Sequence, residues 1–255
     1  MEHIFKLGLI GKNIAHSKSP EIFKKAHPNW IYNLIDVESF ADGFSIFKEE
    51  GYDAVNVTAP FKTEAFEAAD TSEDLCFATG ASNLLIKEDG KIKAYNTDIL
   101  GATTCLKTLL SSHFRTEDTS KLKVLNIGLG GAGKAATVAS LMMGFPTMCV
   151  NRTTQVMVEF KERVSKSNFD FPELEIDSLD RDGFSLSEAV ENHDIIIYSL
   201  PIHLDSIKEI DFSNKAVIEA AYHNTTFPDN TICAKYIGGE VWLHAQAQTL
   251  LSLSI

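Results

Sequence analysis

The sequence predicts an α/β protein with two domains, each built around a mostly parallel sheet. Strand-like and helix-like segments alternate along nearly the whole 255-residue chain, which is the pattern of α/β folds. A polar stretch at 111–120 separates two such series, and the second opens with a glycine-rich loop between a strand and a helix. That loop is typical of a doubly wound, Rossmann-like domain that binds a dinucleotide.

The first series extends from the amino terminus to Asp98. Runs rich in β-branched and aromatic residues predict strands, and apolar residues at helical intervals predict helices. We predict strands at 4–10, 30–36 and 53–57, and helices at 20–26 and 39–50. A further helix is expected to carry Pro60 in its first turn. Two more strands flank Asp89-Gly90, a dipeptide typical of tight hairpin turns.

The second series continues the alternation of strands and helices. Residues 98–110 are predicted as a helix, and 111–120 as a polar loop that leads into the second domain. Strands are then predicted at 122–128, 147–151, 173–177, 194–200 and 216–221, and helices at 130–143, 156–164 and 186–192. This order favours a second parallel sheet with helices on its faces.

Composition and charge narrow the function classes. The chain carries 35 acidic against 23 basic residues, a formal net charge of −12, so binding to nucleic acid is not expected. Every apolar run is shorter than the stretch of about 18 residues that would span a membrane. The amino-terminal MEHIFKLGLIG is predicted to form a first strand and not a signal peptide. The four cysteines are widely spaced and the histidines lack metal-ligand spacing. We therefore expect a cytoplasmic protein without disulfides or a bound metal.

The glycine-rich loop has the pattern Gly128-x-Gly130-x-x-Gly133. The first glycine permits a tight turn, the second lets the backbone approach a pyrophosphate, and the third lets helix and strand pack closely. The next strand ends at Asn151-Arg152-Thr153, about 20 residues further on, where an NAD-binding fold usually has an acidic residue. An arginine there can pair with a 2′-phosphate, which favours NADP. The alternative for Arg152 is a solvated charge at a strand end.

Four polar stretches interrupt the apolar elements of the first series at predicted strand ends. They are IAHSKSP (14–20), NVTAPFK (56–62), GASN (80–83) and YNTD (95–98). In an open α/β sheet the strand ends face the ligand crevice, and these stretches offer hydroxyls, amides, one ammonium and one carboxylate. Such a set suits a small polyol acid. Each stretch alone is equally consistent with a turn, since Ser, Asn, Asp and Pro are common turn residues.

Taken together, the motifs resemble the shikimate dehydrogenase family, NADP-dependent reductases of 3-dehydroshikimate in aromatic amino acid biosynthesis. The resemblance rests on GLIGKNIAHSKSP, NVTAPFK, GASN, YNTD, GLGGAGKAA and NRT in this order, and extends to the carboxy-terminal LHAQAQ. It implies a substrate domain of residues 1–101 completed by a helix at 240–255, an NADP-binding domain of residues 102–239, and an active site between them. The oligomeric state stays open, with a homodimer as one alternative.

The resemblance also implies roles for individual residues. The residues implied for the carboxylate of shikimate or 3-dehydroshikimate are Ser17, Ser19 and Tyr222. Those implied for its hydroxyls are Thr58, Asn83 and Gln246, with Asn56 close to the substrate. Those implied for NADP are Gly128, Gly130, Gly131 and Ala132, with Asn151, Arg152 and Thr153 at the adenosine phosphate. Lys62 and Asp98 match the catalytic pair.

Ketone reduction builds negative charge on the substrate oxygen, which needs a proton donor. We expect Lys62 to carry the proton and Asp98 to orient it. In isolation Lys62 would be taken for a solvated lysine at the start of a helix. His16 lies in the HSKSP turn, and we expect it to support that turn rather than transfer protons.

Three departures from the family pattern leave alternatives open. Val156 stands where the family often has a second arginine after NRT. The family segment near the nicotinamide ribose is replaced at 198–202, and a glycine pair before the last helix is altered at 240–242. One alternative is therefore a quinate/shikimate dehydrogenase with relaxed cofactor use. Another is a metabolite-sensing module that keeps the fold without turnover.

Overall fold

Two six-stranded sheets organise the residues that the structure describes, 4–227 and 232–252 of a computed structural model. They lie in two compact units: one takes the chain up to Thr97 and again from Gln246, and the other spans Asp98–Ala245. This architecture confirms the predicted α/β fold class. Within the described ranges, no helix is long and apolar enough to cross a membrane.

The first unit is a mixed sheet with helices between its strands. Its elements are β1 (Lys6–Gly11), α1 (Ser19–Ala26), β2 (Ile31–Asp36), α2 (Phe40–Glu49), β3 (Ala54–Val57), α3 (Lys62–Ala68), β4 (Thr71–Ser72), α4 (Asp74–Thr79), β5 (Leu84–Glu88) and β6 (Lys91–Tyr95). The strand order is β2-β1-β3-β5-β6-β4. β1 is parallel to β2 and β3, whereas β5 is antiparallel to β3 and β6.

Local sequence accounts for most elements of this unit. The central strands β1 and β3 are apolar, and Leu7, Ile10 and Val55 have no exposed surface, as expected for strands covered on both faces. The β5–β6 hairpin turns through Asp89 (φ +49°) and Gly90 (φ +76°). Two successive left-handed residues define the type I′ turn that this dipeptide favours, so the predicted hairpin is confirmed.

The prediction that Pro60 lies in the first turn of a helix is wrong. α3 begins at Lys62 with Phe61 as its N-cap, and the Ala59–Pro60 peptide bond is cis. The Phe61 N–H donates to the carbonyl of Thr58 at 3.0 Å, so residues 58–61 form a separate turn. The proline therefore belongs to the turn that leads from β3 into α3.

The second unit is a doubly wound sheet. Its elements are α5 (Asp98–Leu109), β7 (Val124–Ile127), α6 (Gly131–Met142), β8 (Thr147–Asn151), α7 (Thr154–Ser165), β9 (Leu174–Ser178), α8 (Leu186–Glu191), β10 (Ile195–Tyr198), β11 (Ala216–Glu219), β12 (Lys235–Ile237) and α9 (Gly239–Ser252), of which α9 continues into the first unit. The described strands are all parallel in the order β9-β8-β7-β10-β11-β12. The order reverses between β7 and β10, which is where such sheets bind their ligands.

The stretch 111–120 is only partly the loop that its polar composition predicts, because residues 111–114 are helical, whereas 115–118 are irregular. α5 continues into a π-helical turn, Leu110–Phe114, which ends where the Arg115 N–H donates to the Leu110 carbonyl at 2.7 Å. Ser112 Oγ donates to the Thr108 carbonyl at 2.6 Å. A hydroxyl bonded in this way accommodates a polar residue within a helix, and the helical segment reaches Phe114 before the irregular part begins.

Candidate active site

Polar residues meet where the strands of the first unit end. The Thr58 N–H donates to the Ile10 carbonyl at 3.0 Å, which joins the ends of β3 and β1. The Asn83 carbonyl accepts the Val57 N–H at 2.8 Å, and the Asn83 N–H donates to the Tyr95 carbonyl at 3.1 Å. Three of the four polar stretches predicted from sequence therefore lie side by side in this unit.

The Asn83 side chain is held by a residue that the sequence analysis did not single out, Thr97. The Thr97 N–H donates to Asn83 Oδ1 at 2.8 Å, and Asn83 Nδ2 donates to Thr97 Oγ1 at 2.9 Å. Both residues are buried, so water does not compete for these bonds. Nδ2 carries two hydrogens, and within 4–227 and 232–252 the second has no protein acceptor.

Asn56 supports the same corner of the unit. Its Oδ1 accepts the hydroxyl of Tyr32 at 3.1 Å, and its Nδ2 donates to the Asn83 carbonyl at 3.5 Å. Asn56 thus reaches the backbone of Asn83, which makes it a support for that residue. Its predicted place near the substrate remains a proposal.

Asn96 carries a buried acceptor without a partner. Its Nδ2 donates to the Ala81 carbonyl at 2.9 Å and to Thr79 Oγ1 at 3.1 Å, while Oδ1 accepts from no other described residue. A buried orphan of this kind costs about 1–3 kcal/mol. Asn96 lies two residues before Asp98. The unsatisfied Asn96 Oδ1 and the predicted catalytic carboxylate therefore belong to the same stretch, YNTD (95–98).

The predicted catalytic residues each stand at the start of a helix. Lys62 is the first residue of α3, half-buried, and its carbonyl accepts the Ser82 N–H at 2.8 Å, next to Asn83. Asp98 is the first residue of α5 and of the second unit, and its side chain is buried. Ser17 and Ser19 are both half-buried. Ser17 lies in the turn between β1 and α1, and its Oγ accepts the N–H of Ser19, the first residue of α1, at 3.3 Å.

The glycine-rich loop of the second unit is shaped to admit a pyrophosphate. Gly128 has φ +107°, and a Cβ on Gly133 would collide with the Gly128 carbonyl. A Cβ on Gly130, in contrast, would meet no atom within 4 Å. α6 then begins at Gly131 with Gly130 as its N-cap, so its first N–H groups face this space, as phosphate binding requires. The residues fit a dinucleotide.

A buried polar network behind this loop was missed by the sequence analysis. Asn126 on β7 has no exposed surface, and its Nδ2 donates to the carbonyls of Gly128 and Gly133, each at 2.9 Å. Thr137 Oγ1 donates to the Gly133 carbonyl at 2.9 Å, and Ser199 Oγ donates to the Gly128 carbonyl at 3.0 Å. The only sequence signal was an asparagine inside an otherwise apolar strand.

Asn151 is the last residue of β8, and Arg152 and Thr153 follow it. Arg152 lines a cavity of about 290 Å³ in the second unit, most of whose other lining residues are apolar. Val156 is half-buried on the first turn of α7 and brings no charge to the place of the expected second arginine.

Tyr222 lies in a loop that is anchored by Glu219, another residue missed from sequence. The Glu219 carboxylate has no exposed surface and accepts the Tyr236 hydroxyl at 2.7 Å and the N–H groups of Thr226 and Phe227. Three donors compensate the burial of its charge. Tyr222 itself is half-buried within this loop, and Gln246 is half-buried on α9.

The departures at 198–202 and 240–242 are accommodated within the second unit. The Tyr198 hydroxyl donates to the Ile202 carbonyl at 2.7 Å and accepts the Leu204 N–H at 3.2 Å, which closes the altered segment on itself. Trp242 packs on Gly101, where any Cβ would collide with the indole. Both changes therefore come with local partners.

Groups that could bind a metal ion are not found in the part of the chain that the structure describes. The cysteines are free thiols there, and burial raises the pKa of the Cys76, Cys105 and Cys149 thiols to about 12. Such thiols are inert at neutral pH. The described chemistry is therefore that of hydroxyls, amides, one lysine and one buried aspartate.

Comparison with known proteins identifies relatives of the chain. The family model described as shikimate dehydrogenase substrate binding domain matches residues 9–85. The shikimate dehydrogenase (NADP(+)) of Ignicoccus hospitalis is 31% identical over 204 residues, covering 78% of this chain and 70% of that protein. A crystal structure of a shikimate dehydrogenase in complex with NADP+ is 26% identical, with a TM-score of 0.78 over 98% of this chain and 89% of that one.

A quinate dehydrogenase from Corynebacterium glutamicum in complex with NAD also superimposes, with a TM-score of 0.76 over 97% of this chain and 92% of that one. At 16% identity this likeness shows the fold alone. The Ignicoccus relative is more than 30% identical and is matched over 70% of its length, which shows the family as well as the fold. The chain belongs to the shikimate dehydrogenase family.

Proposed function

We propose that the chain catalyses the reversible, NADPH-dependent reduction of 3-dehydroshikimate to shikimate, in the pathway to chorismate and the aromatic amino acids. Membership of the family supports the reaction class. The observation that carries the proposal is the corner of the first unit where Thr58, Asn83 and Thr97 adjoin the start of α3 at Lys62. It combines neutral donors and acceptors with one ammonium, as a polyhydroxylated keto acid requires.

In this proposal the substrate carboxylate is bound by hydroxyls. Two of them come from the half-buried Ser17, in the turn before α1, and Ser19, the first residue of α1, and Tyr222 offers the third. Hydroxyl donors to a carboxylate form charge-assisted hydrogen bonds, which are stronger than neutral ones.

The ring hydroxyls are bound by Thr58, Asn83 and Gln246. The Oδ1 and one Nδ2 hydrogen of Asn83 are bonded to Thr97, so the amide is fixed in orientation and its second hydrogen can donate to a substrate hydroxyl. A donor fixed before substrate arrives costs little entropy on binding. Asn56 holds the Asn83 backbone and acts through it.

Lys62 supplies the proton in the reduction and removes it in the oxidation. As the ketone carbon is reduced, charge grows on its oxygen, and the Lys62 ammonium transfers a proton there to form the alcohol. Proton donation of this kind contributes about 10²–10⁴ in rate. The Asp98 carboxylate orients the ammonium and accepts a hydrogen bond from the same substrate hydroxyl. His16 is exposed and supports the HSKSP turn.

The residues that would hold NADP are Gly128, Gly130, Gly131, Ala132, Asn151, Arg152 and Thr153. When bound, NADPH supplies the hydride. The Gly128–Gly133 loop and the N–H groups of α6 neutralise the pyrophosphate, and the Arg152 guanidinium pairs with the 2′-phosphate.

A spectrophotometric assay tests the proposal. The purified protein is given shikimate or quinate, each with NADP or NAD, and the reduced-nicotinamide band is followed. The expected result is oxidation of shikimate with NADP, lost in Lys62→Ala. No change with any of the four pairs would refute the enzymatic function. Normal turnover in Lys62→Ala together with none in Asp98→Ala would refute the roles given to the pair.

A second candidate is a quinate/shikimate dehydrogenase with relaxed cofactor use. The observation that favours it is Val156 in place of a second arginine, which leaves Arg152 as the phosphate partner on this turn. Turnover of quinate comparable with that of shikimate would establish it, and a non-catalytic sensor would instead bind shikimate without turnover. A cytoplasmic location and a homodimer belong to the same proposal, and light scattering tests the dimer.

A further inference from the structure

The cavity that contains Arg152 also contains a carboxylate, that of Asp180. Asp180 follows β9 and lines the same cavity of about 290 Å³, together with Ser206 and four apolar side chains. The cavity lies next to Asn151, Arg152 and Thr153, the residues proposed for the adenosine phosphate. A positive and a negative side chain therefore face the same part of the cofactor site.

Both side chains are available to a ligand. Across the described ranges, neither the Arg152 guanidinium nor the Asp180 carboxylate forms an ion pair or a side-chain hydrogen bond with a protein group. Their backbones are nonetheless fixed through Ser178, whose Oγ donates to the Arg152 carbonyl at 3.2 Å and accepts the Asp180 N–H at 3.3 Å. The two charges are thus held near one cavity without neutralising each other.

The cation that follows Asp180 in sequence does not offset its charge. Arg181, the next residue, forms a two-pronged ion pair with Asp177, with Nε–Oδ1 at 2.6 Å and Nη2–Oδ2 at 2.7 Å. Its side chain lines a different cavity, on the side of Glu173 and His193. With Val156 neutral, the charged side chains lining the cavity are Arg152 and Asp180, against the about −1.5 to −2 charges of a phosphate monoester.

We propose that Asp180 determines cofactor specificity by opposing the 2′-phosphate of NADP and accepting a hydrogen bond from the ribose 2′-hydroxyl of NAD. An acidic side chain performs this second task in NAD-binding folds, ordinarily from the end of the strand that follows the glycine loop. Here that end carries Arg152, and the acidic group comes from the end of the next strand, β9. The inference rests on the cofactor site of the proposed function and predicts a reduced preference for NADP.

Nucleotide binding tests the proposal without turnover. Calorimetric titration measures the affinity of the whole protein for 2′,5′-ADP, which carries the 2′-phosphate, and for ADP, which does not. We expect Asp180→Asn to bind 2′,5′-ADP about fivefold more tightly than wild type, because one repulsive unit charge is removed at the solvent boundary. Its affinity for ADP should be unchanged or weaker. Arg152→Gln should show the opposite change for 2′,5′-ADP.

The matched control is Asp182→Asn, which removes the same charge from an exposed residue outside the cavity. The proposal is overturned if Asp182→Asn raises the affinity for 2′,5′-ADP as much as Asp180→Asn, or if Asp180→Asn changes both nucleotides equally. Wild-type protein that binds neither nucleotide overturns this proposal and the NADP site together. Protein that shows the expected affinities but does not oxidise shikimate refutes the proposed function alone and leaves the role of Asp180 established.

Discussion

Replacing Asn126 by leucine should loosen the glycine loop without touching the substrate corner. Leucine keeps the branched shape of the side chain but removes the amide that donates to the carbonyls of Gly128 and Gly133 at 2.9 Å. Because Asn126 has no exposed surface, water cannot replace these bonds. The change removes the support that holds the first and third glycines of the loop together.

The magnitude follows from what remains. The two hydrogen bonds to the carbonyls are worth about 1 kcal/mol each, and fully orphaned carbonyls would cost about 1–3 kcal/mol more apiece. Leucine also removes the contacts of the amide with Thr137 Oγ1 at 2.8 Å and Ser199 Oγ at 3.3 Å. The carbonyls are not orphaned, since Thr137 Oγ1 still donates to Gly133 at 2.9 Å and Ser199 Oγ to Gly128 at 3.0 Å. We therefore expect a loss of about 1–3 kcal/mol in the free energy of unfolding. A small displacement of the loop should raise the KM for NADP about three- to tenfold.

Urea unfolding and steady-state kinetics check this prediction together. The matched control is Ser140→Ala, which removes another buried hydrogen bond of α6, from Ser140 Oγ to the Ala136 carbonyl at 2.9 Å, away from the loop. The control should lose stability with an unchanged KM for NADP. If Asn126→Leu leaves both stability and the KM for NADP at wild-type values, or raises the KM for shikimate to the same extent, the network does not position the loop.

Three further predictions concern buried groups. Glu219→Gln should lower the free energy of unfolding in urea by about 1–3 kcal/mol, because an amide replaces a carboxylate that accepts three donors. It should also raise the KM for shikimate more than the KM for NADP, whereas the exposed control Glu209→Gln should change neither. Equal changes in the two KM values would refute the link between Glu219 and the Tyr222 loop. At about pH 8 a thiol reagent should modify at most Cys233 in the folded protein, since burial raises the pKa of the other three thiols to about 12; rapid reaction of four thiols before denaturant is added would contradict their burial. Burial lowers the pKa of His193 below its unfolded value of about 6.5, so the unfolded state binds more protons at this residue. The stability that the neutral His193 contributes is present above the unfolded pKa and is lost as pH falls through the folded pKa. His193→Asn should flatten the acid side of the curve of unfolding free energy against pH, measured by urea unfolding, and an unchanged curve would contradict this contribution of His193.

Local rules predicted the elements and the motif positions well. Asp89-Gly90 determines its turn through two left-handed residues, and the glycine loop needs no side chains where the backbone of Gly128 approaches α6. Both features are determined by residues that are adjacent in the chain, so a sequence motif is enough to predict them. The prediction for Pro60 was wrong because this proline lies inside the turn that precedes α3. The prediction for 111–120 was wrong at 111–114, where the chain continues as a helix before it becomes irregular.

The supporting residues could not be predicted in the same way. Thr97 orients Asn83 across two strands, and Asn126 meets Ser199 from a neighbouring strand. Such pairs depend on strand order and register, which a single sequence does not state. An isolated asparagine or glutamate within an apolar strand was the available signal, and it indicates a buried polar partner without naming it.

The central claim is that Lys62 carries the proton in a shikimate dehydrogenase reaction. The most direct test is the single-turnover rate of shikimate oxidation by Lys62→Gln at saturating NADP, with NADP affinity measured separately. We predict a rate about 10²–10⁴ below wild type, with NADP affinity within about twofold because the change lies outside the cofactor loop. A rate close to wild type at undiminished NADP affinity would contradict the claim.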